Sequence, residues 1–231
     1  RTCVGDPKDF TSWPVQLPIA PHALAVALFG AARAIPEPSA DLLNQVALLH
    51  VSVGDYSNAK PLYNRALSIR EAAYGRDHPN IAIVINNLGE LCRVTGEFRE
   101  AERLMRRAIA MLARCPGDTP HLLCAFEGGL GMLLHETTRT AEAEKHIRKA
   151  LKLEEEIFGK ENPLLVRSLN NLALVLQATS RNEEAVETLL RAIDLSRTPG
   201  ANQETSVGHV MLTLAHSLQE MRRFDQADRR V

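Results

Sequence analysis

The 231-residue sequence predicts an all-α fold, a right-handed α-solenoid superhelix of stacked helical hairpins, on three observations. Ala59, Ala101, Ala143, Ala185 and Ala227 follow one another at intervals of 42 residues. A second column stands seven residues later at Ala66, Ala108, Ala150 and Ala192, and a third stands twelve residues earlier at Ala47, Gly89, Gly131, Ala173 and Ala215. Hydrophobic residues make up 45% of the chain but aromatics only 4%, which suits close helix packing better than a sandwich or barrel.

Each element follows from these columns. Two helices that cross at short distance need a missing side chain at the contact, so only Ala or Gly fills the three positions. Leu88, Leu104 and Ile109, or Leu172, Leu189 and Ile193, are the knobs between them. Each unit reads as helix A, a tight turn, helix B and a loop. Residues 1–37, with Asp6-Pro7, Trp13-Pro14, Leu17-Pro18 and the run His22 to Ala27, are expected to form an N-terminal linker or capping helix region. Residues 38–231 are expected to hold five repeats, the last truncated inside helix B at Val231, with more repeats to follow.

Gly54 and Gly96 stand where a helix A ends in a left-handed residue, and Tyr56, Phe98 and Phe224 are expected to open helix B. Between units, Gly75 with Pro79 and Gly159 with Pro163 punctuate at the same period, Gly stopping one helix and Pro starting the next at its first turn. Gly117-Asp118-Thr119-Pro120 is a third copy, one residue short, while Pro199-Gly200 leads to Ala201 and Thr205 where Gly and Pro would stand. Gly128-Gly129 inside the third helix A costs roughly 1 kcal/mol per residue relative to Ala, making that helix the softest.

Several function classes are excluded. Lys plus Arg (27) nearly cancels Asp plus Glu (28), so neither nucleic acid nor an anionic membrane finds an electrostatic footprint. The longest apolar stretch, residues 19–35, contains Pro21, His22 and Arg33 and is no uninterrupted membrane span. Cys3, Cys92, Cys115 and Cys124 have no paired spacing, which points to free thiols in a reducing, cytoplasmic compartment. His121 and Cys124 near Cys115 match no zinc spacing, so no metal is expected. No phosphate-binding loop is present, since Gly128-Gly129-Leu130-Gly131 falls mid-helix in the repeat register, and no cofactor is expected. No Ser-His-Asp or Cys-His arrangement and no converging carboxylates can be assembled, so no enzyme activity is expected.

The segments Ile85-Asn86-Asn87-Leu88-Gly89-Glu90-Leu91 and Leu169-Asn170-Asn171-Leu172-Ala173-Leu174 are followed by Glu-Ala, Arg-Ala-Leu/Ile and Gly-x-x-x-Pro. They resemble the 42-residue tetratricopeptide repeat of kinesin light chains, over roughly Ala40 to Val231. The same repeat occurs in the sensor arms of NB-ARC-type signal-transduction ATPases. The first 37 residues resemble the linker helix that, in many microbial NB-ARC proteins, precedes the repeats, whereas kinesin light chains carry a heptad coiled coil that is not visible here. The resemblance implies a protein-protein interaction module, the sensor or scaffold arm of a larger signalling ATPase, with a kinesin-light-chain-like cargo adaptor or stand-alone scaffold as the alternative. The partner it implies is a protein or extended peptide, and any self-association is expected to run through the full-length protein.

The A helices of such a superhelix line its concave wall. Positions six and three before, and one and four after, the Ala/Gly column share one helical face. On that face the candidate partner-binding residues are Asn44, Asn86, Glu90, Arg93, His135, Arg167, Asn170, Gln177, His209 and His216. Asn44, Asn86 and Asn170 share one column, and their amides can both donate to and accept from the backbone of an extended peptide. The kinesin light-chain resemblance implies the same contact. The other reading is that these amides join neighbouring hairpins, as Asn87 and Asn171 are expected to do. Arg93, Arg167 and the three histidines, offset by Glu90 and Asp41, leave the face mildly cationic. Arg65, Arg107, Lys149 and Arg191 on helix B, and Glu154-Glu155-Glu156, are read as solvated faces, with Glu187 and Arg191 suitably spaced for an ion pair.

Overall fold

A computed structural model describes residues 13–32, 36–75, 77–115, 119–197 and 203–228, of which 13–17, 31–32, 36–37, 203–207 and 222–228 are described by backbone alone. Cys3, Asp6-Pro7, Arg33, Gly117-Asp118, Pro199-Gly200, Ala201 and Val231 lie outside the described residues, as do the side chains of Trp13, Pro14, Leu17, Thr205, Arg222, Phe224 and Ala227. Among the described residues there are ten α-helices and no strand. They are α1 (Trp13–Ala32), α2 (Pro36–Ser52), α3 (Tyr56–Tyr74), α4 (Pro79–Val94), α5 (Phe98–Leu112), α6 (Pro120–Glu136), α7 (Thr140–Phe158), α8 (Val166–Ala178), α9 (Asn182–Ser196) and α10 (Gln203–Asp228). The chain divides into two compact units, Arg1–Gly117 with α1 to α5 and Asp118–Val231 with α6 to α10.

In the first unit α2 pairs with α3 and α4 with α5, while α1 lies on α2. Gly54 (φ 81°) and Gly96 (φ 80°) take the left-handed conformation the sequence requires of them. The next amide then bonds back into the helix, from Asp55 to the His50 carbonyl (2.8 Å) and from Glu97 to the Cys92 carbonyl (2.7 Å). Asp55 also caps α3, and hydrogen bonds from Asn58 and then Ser57 and His50 outweigh its partial burial and hold its carboxyl down to about 2. At the start of α4 the His78 Nδ1 accepts from the Asn80 amide (3.1 Å) while its ring stacks on Tyr74 at 3.9 Å between centroids. Ala47, Ala59, Ala66, Ala101 and Ala108 are fully buried, and a Cβ placed on Gly89 would come within 2.9 Å of Met105 Cγ.

The second unit repeats the plan with α6 on α7, α8 on α9, and α10 packed on α8 and α9. Ala143, Ala150, Ala173, Ala185 and Ala192 are fully buried, as the columns require. Pro120 opens α6 directly, whereas Pro163 opens a 3-10 turn, Pro163–Leu165, that runs on into α8. Here the left-handed turn position falls to non-glycine residues, Thr138 (φ 62°) and Ser180 (φ 59°). A second turn signal, not anticipated from the columns, is the threonine just before it. Thr95, Thr137 and Thr179 each turn Oγ1 back to donate to a carbonyl of the preceding helical turn, on Leu91 (3.0 Å), Leu133 (3.0 Å) and Leu176 (2.9 Å).

The fifth hairpin differs from expectation. α10 runs unbroken through Arg222, where the register places a turn, and no new helix opens at Phe224. The physical reason lies in the residues there: Met221, Arg222 and Arg223 are all good helix formers, with neither a Gly for the left-handed position nor a Thr for the back-bond.

Candidate partner-binding faces

On the first unit the face of α2 and α4 is largely committed to internal partners. Asn44 is buried and its Oδ1 accepts from Asn87 Nδ2 at 3.0 Å, so this amide joins neighbouring hairpins. Asp41 pairs with Arg70, a residue of α3 that is only 3% exposed and also donates to the Asn80 carbonyl (2.5 Å). Glu90 and Arg93 form an ion pair one turn apart, at 2.9 Å. Asn86 is buried with its Oδ1 meeting no partner among the protein atoms described.

On the second unit the face of α6, α8 and α10 is more open. Arg167, His209 and His216 are exposed, His135 and Asn170 are half-buried, and Leu212 is 72% exposed. Asn170 Oδ1 and His135 Nδ1 are buried atoms without a protein partner. Gln177, by contrast, is spent on packing: its Nε2 donates to the Thr213 carbonyl (2.8 Å) and to Ser217 Oγ (2.6 Å), tying α8 to α10. The structure thus places all ten predicted residues on A helices, four in the first unit and six in the second. Asn44 and Gln177 it assigns to contacts between hairpins.

The solvated reading of the helix B cations is refined, and that of the glutamate run is corrected. Arg107, Lys149 and Arg191 do not simply face solvent but reach across to Glu71 (3.3 Å), Glu127 (2.6 Å) and Glu155 (2.7 Å) on neighbouring helices. Within Glu154-Glu155-Glu156, Glu154 is buried at 4% exposure beneath α8 rather than solvated. Burial pushes its carboxyl up, against a Ser168 hydrogen bond and the nearby Arg167 charge that pull it down. Glu127, which is 1% exposed, has the opposite balance. Burial raises it, but His146 (2.5 Å) and Lys149 outweigh that effect and hold it below the usual range. The repeat columns do not foretell either burial by a common rule: Glu127 stands in an otherwise apolar column with Leu43, Ile85 and Leu169, whereas Glu154 shares its column with Arg70, Leu112 and Ser196.

Cys92 and Cys124 are buried free thiols, raised by burial, and Cys115 is half-buried. Among the described residues no cluster of His, Cys, Asp and Glu is placed to hold a metal ion, and no helix is long and apolar enough to cross a membrane.

Two of the solved structures similar to this chain illustrate the likeness. BtubC (BKLC) from P. vanneervenii superposes with a TM-score of 0.74 at 17% identity, over 90% of this chain and 87% of that one. A putative kinesin light chain from Podosopora anserina, with nearly identical TPR-like repeats, superposes at 0.64 and 19% identity, over 81% of this chain and 89% of that one. At these identities the likeness speaks for the fold. Among curated proteins, none matches the sequence. The repeat family described as "Tetratricopeptide repeat" matches residues 38–114 and 122–198, more than half of the chain and the same segments that fold as α2 to α9. With paired helices, small-residue columns at their crossings and this match, the chain belongs to the tetratricopeptide repeat family.

Proposed function

We propose that the chain is a non-catalytic protein-protein interaction module whose A-helix faces bind an extended peptide or a protein segment. The observation that carries this reading is the pair Asn86 and Asn170. They share one column, one in each unit, and each keeps a buried amide oxygen without a protein partner. Buried acceptors are normally satisfied, so an amide N–H of a bound peptide is the complementary group. Glu90, Arg93, Arg167, His135, His209 and His216 surround these positions on the same faces.

The test is to pan a displayed random-peptide library on the 231-residue chain and measure selected peptides by fluorescence polarisation against wild type and Asn86→Ala with Asn170→Ala. A peptide seated on either unit loses one hydrogen bond of about 0.5–1.5 kcal/mol, which predicts an affinity drop of about two- to tenfold. Melting temperature is expected to hold or rise, because the truncation removes unsatisfied buried oxygens. Unchanged affinity with a clear loss of stability would return both residues to a structural role.

We further propose that this module is the sensor or scaffold arm of a larger signalling ATPase of the NB-ARC type, in a reducing, cytoplasmic setting. In this reading residues 1–37 are a linker that also caps the stack and 38–231 carry the repeat array. The packing of α1 on α2 is consistent with it. Sequencing the gene upstream of Arg1 tests it: a phosphate-binding loop and winged helix support the assignment, and a coiled coil or an initiator Met sinks it. The fold likeness to a putative kinesin light chain favours the second reading, a cargo adaptor or stand-alone scaffold.

A further inference from the structure

Among α1, α2 and α3 of the first unit lies a cavity of about 440 Å³, within the roughly 300–1,000 Å³ range of small-molecule pockets. Leu24 of α1, Val46 and Leu49 of α2 and Leu62 of α3 make its apolar walls. Val46 and Leu49 are 4% and 2% exposed, so its floor belongs to the core of the unit. The hollow opens between α1, which packs on α2, and the first half of α3.

Three lining residues depart from the repeat register. Pro61 stands where the later B helices carry Arg103, Lys145 and Glu187, and Asn58 where they carry Glu100, Glu142 and Glu184. On the cavity side of α3 the usual charges of a helix B are thus replaced by neutral residues. His50 departs in the opposite sense: Cys92, Leu134 and Leu176 share its column and are at most 1% exposed, whereas the imidazole is half-buried and lines the cavity.

The polar groups among them present acceptors. Asp55 is an ionised carboxylate that takes the Asn58 amide N–H, Asn58 Nδ2 (2.7 Å) and the Ser57 hydroxyl (3.0 Å). His50 Nδ1 lies 2.9 Å from the same carboxylate, which can only accept, so the proton sits on Nδ1 and the neutral ring keeps Nε2 as an acceptor. With Nδ2 turned to Asp55, Asn58 keeps its Oδ1 as a second acceptor. Pro21 and Pro61, which line the cavity from α1 and α3, have no N–H to offer.

We propose that this cavity binds a neutral, largely apolar small molecule that donates one hydroxyl or N–H hydrogen bond to His50 Nε2. An anion is disfavoured beside Asp55, and Asp55 is already met by Asn58, Ser57 and His50, so its charge calls for no cation. A wholly apolar molecule would leave the imidazole nitrogen without a donor. The cavity shares no lining residue with Asn44, Asn86, Glu90 or Arg93, so it stands independently of the peptide-binding reading.

The test is isothermal titration calorimetry of the 231-residue chain with naphthol, its methyl ether and naphthoate at about pH 8, where an ordinary imidazole is neutral. Naphthol is expected to bind at one site, the ether about two- to tenfold more weakly for the hydrogen bond it cannot make, and naphthoate not measurably. Leu24→Trp, which fills the hollow, should abolish naphthol binding at unchanged helicity. His50→Leu, which installs the residue found at Leu134 and Leu176, should bring naphthol and its ether to equal affinity. No saturable naphthol binding, naphthoate binding as tightly as naphthol, undiminished binding in a folded Leu24→Trp chain, or a preference for naphthol that survives His50→Leu would each overturn the proposal.

Discussion

Gly128 and Gly131 stand one turn apart on α6, and the same substitution at each should move stability in opposite directions. Replacing either glycine with alanine brings the same gain in helix propensity, about 1 kcal/mol. What differs is the space. A Cβ at Gly128 would sit 3.8 Å from the Ala150 Cβ, an ordinary van der Waals contact. A Cβ at Gly131 would sit 2.5 Å from Ile147 Cγ1 and 3.3 Å from the Ala143 carbonyl oxygen. Carbon atoms pack best at roughly 3.5–4.0 Å, so Ile147 must retreat by about 1 Å in a core where it is itself 1% exposed. Overpacking of this kind costs about 1–3 kcal/mol. Net of propensity, Gly131→Ala should destabilise by up to about 2 kcal/mol, while Gly128→Ala should stabilise by about 0.5–1 kcal/mol. Equilibrium denaturation followed by far-ultraviolet circular dichroism compares the two directly. If both variants shift the midpoint the same way, the small-residue column does not set the α6–α7 approach and the packing account of the repeat fails.

The left-handed turn residues give a second contrast: Thr138→Gly and Ser180→Gly should each stabilise by about 0.5 kcal/mol, the strain relieved exceeding the entropy that glycine adds to the unfolded chain, and Gly96→Ala should destabilise, all read from thermal melts. Because burial raises Glu154, the folded chain keeps that proton to higher pH than the unfolded chain does. Stability should therefore fall as pH rises from about 4.5 through the raised value, and Glu154→Gln should remove that slope and stabilise at neutral pH. Glu127 has the reverse sign, so its contribution is present above 4.5 and lost as pH falls through its lowered value; denaturation repeated across pH separates the two glutamates. Gln177→Ala should cost about 1–2 kcal/mol by leaving the fully buried Ser217 and the Thr213 carbonyl without their shared donor, seen as faster hydrogen exchange in α10.

The columns made the hairpins legible because a crossing between helices is a local demand that recurs at every repeat, and Ala59, Ala101, Ala143 and Ala185 each answer it by full burial. Contacts specific to one pair of hairpins were less legible. Gln177 looked like a groove residue because its column is on the open face, yet the placing of α10 against α8 brings Thr213 and Ser217 within its reach. Glu127 and Glu154 are buried against polar groups of the next helix, His146 and Lys149 for the first and Ser168 for the second, single pairings that do not recur from unit to unit and that no periodicity reports. The straight α10 was hidden for a different reason. Phe224 and Ala227 satisfy the helix-B pattern, but a hairpin also needs a turn, and the turn is written in the Val-Gly, Thr-Gly, Thr-Thr and Thr-Ser pairs that Met221-Arg222 replaces.

The ion pairs between successive hairpins bear on how each unit responds to its medium. In the first unit Lys60 reaches Glu97 (2.9 Å) and Arg107 reaches Glu71; in the second Arg148 reaches Glu184 (2.6 Å) and Arg181 reaches Glu144 (2.8 Å). All join exposed or half-buried side chains outside the core, so they act where solvent and salt reach them. Each pair alone contributes about 0–1 kcal/mol and is screened within about 10 Å at 0.1 M salt. Buried apolar contacts hold neighbouring hairpins together, and these surface pairs add a salt-sensitive brace between them. Ionic strength should accordingly act as a control on bending stiffness while leaving the melting temperature nearly constant. Raised salt should quicken amide exchange at the ends of α3, α5, α7 and α9 before it alters the core.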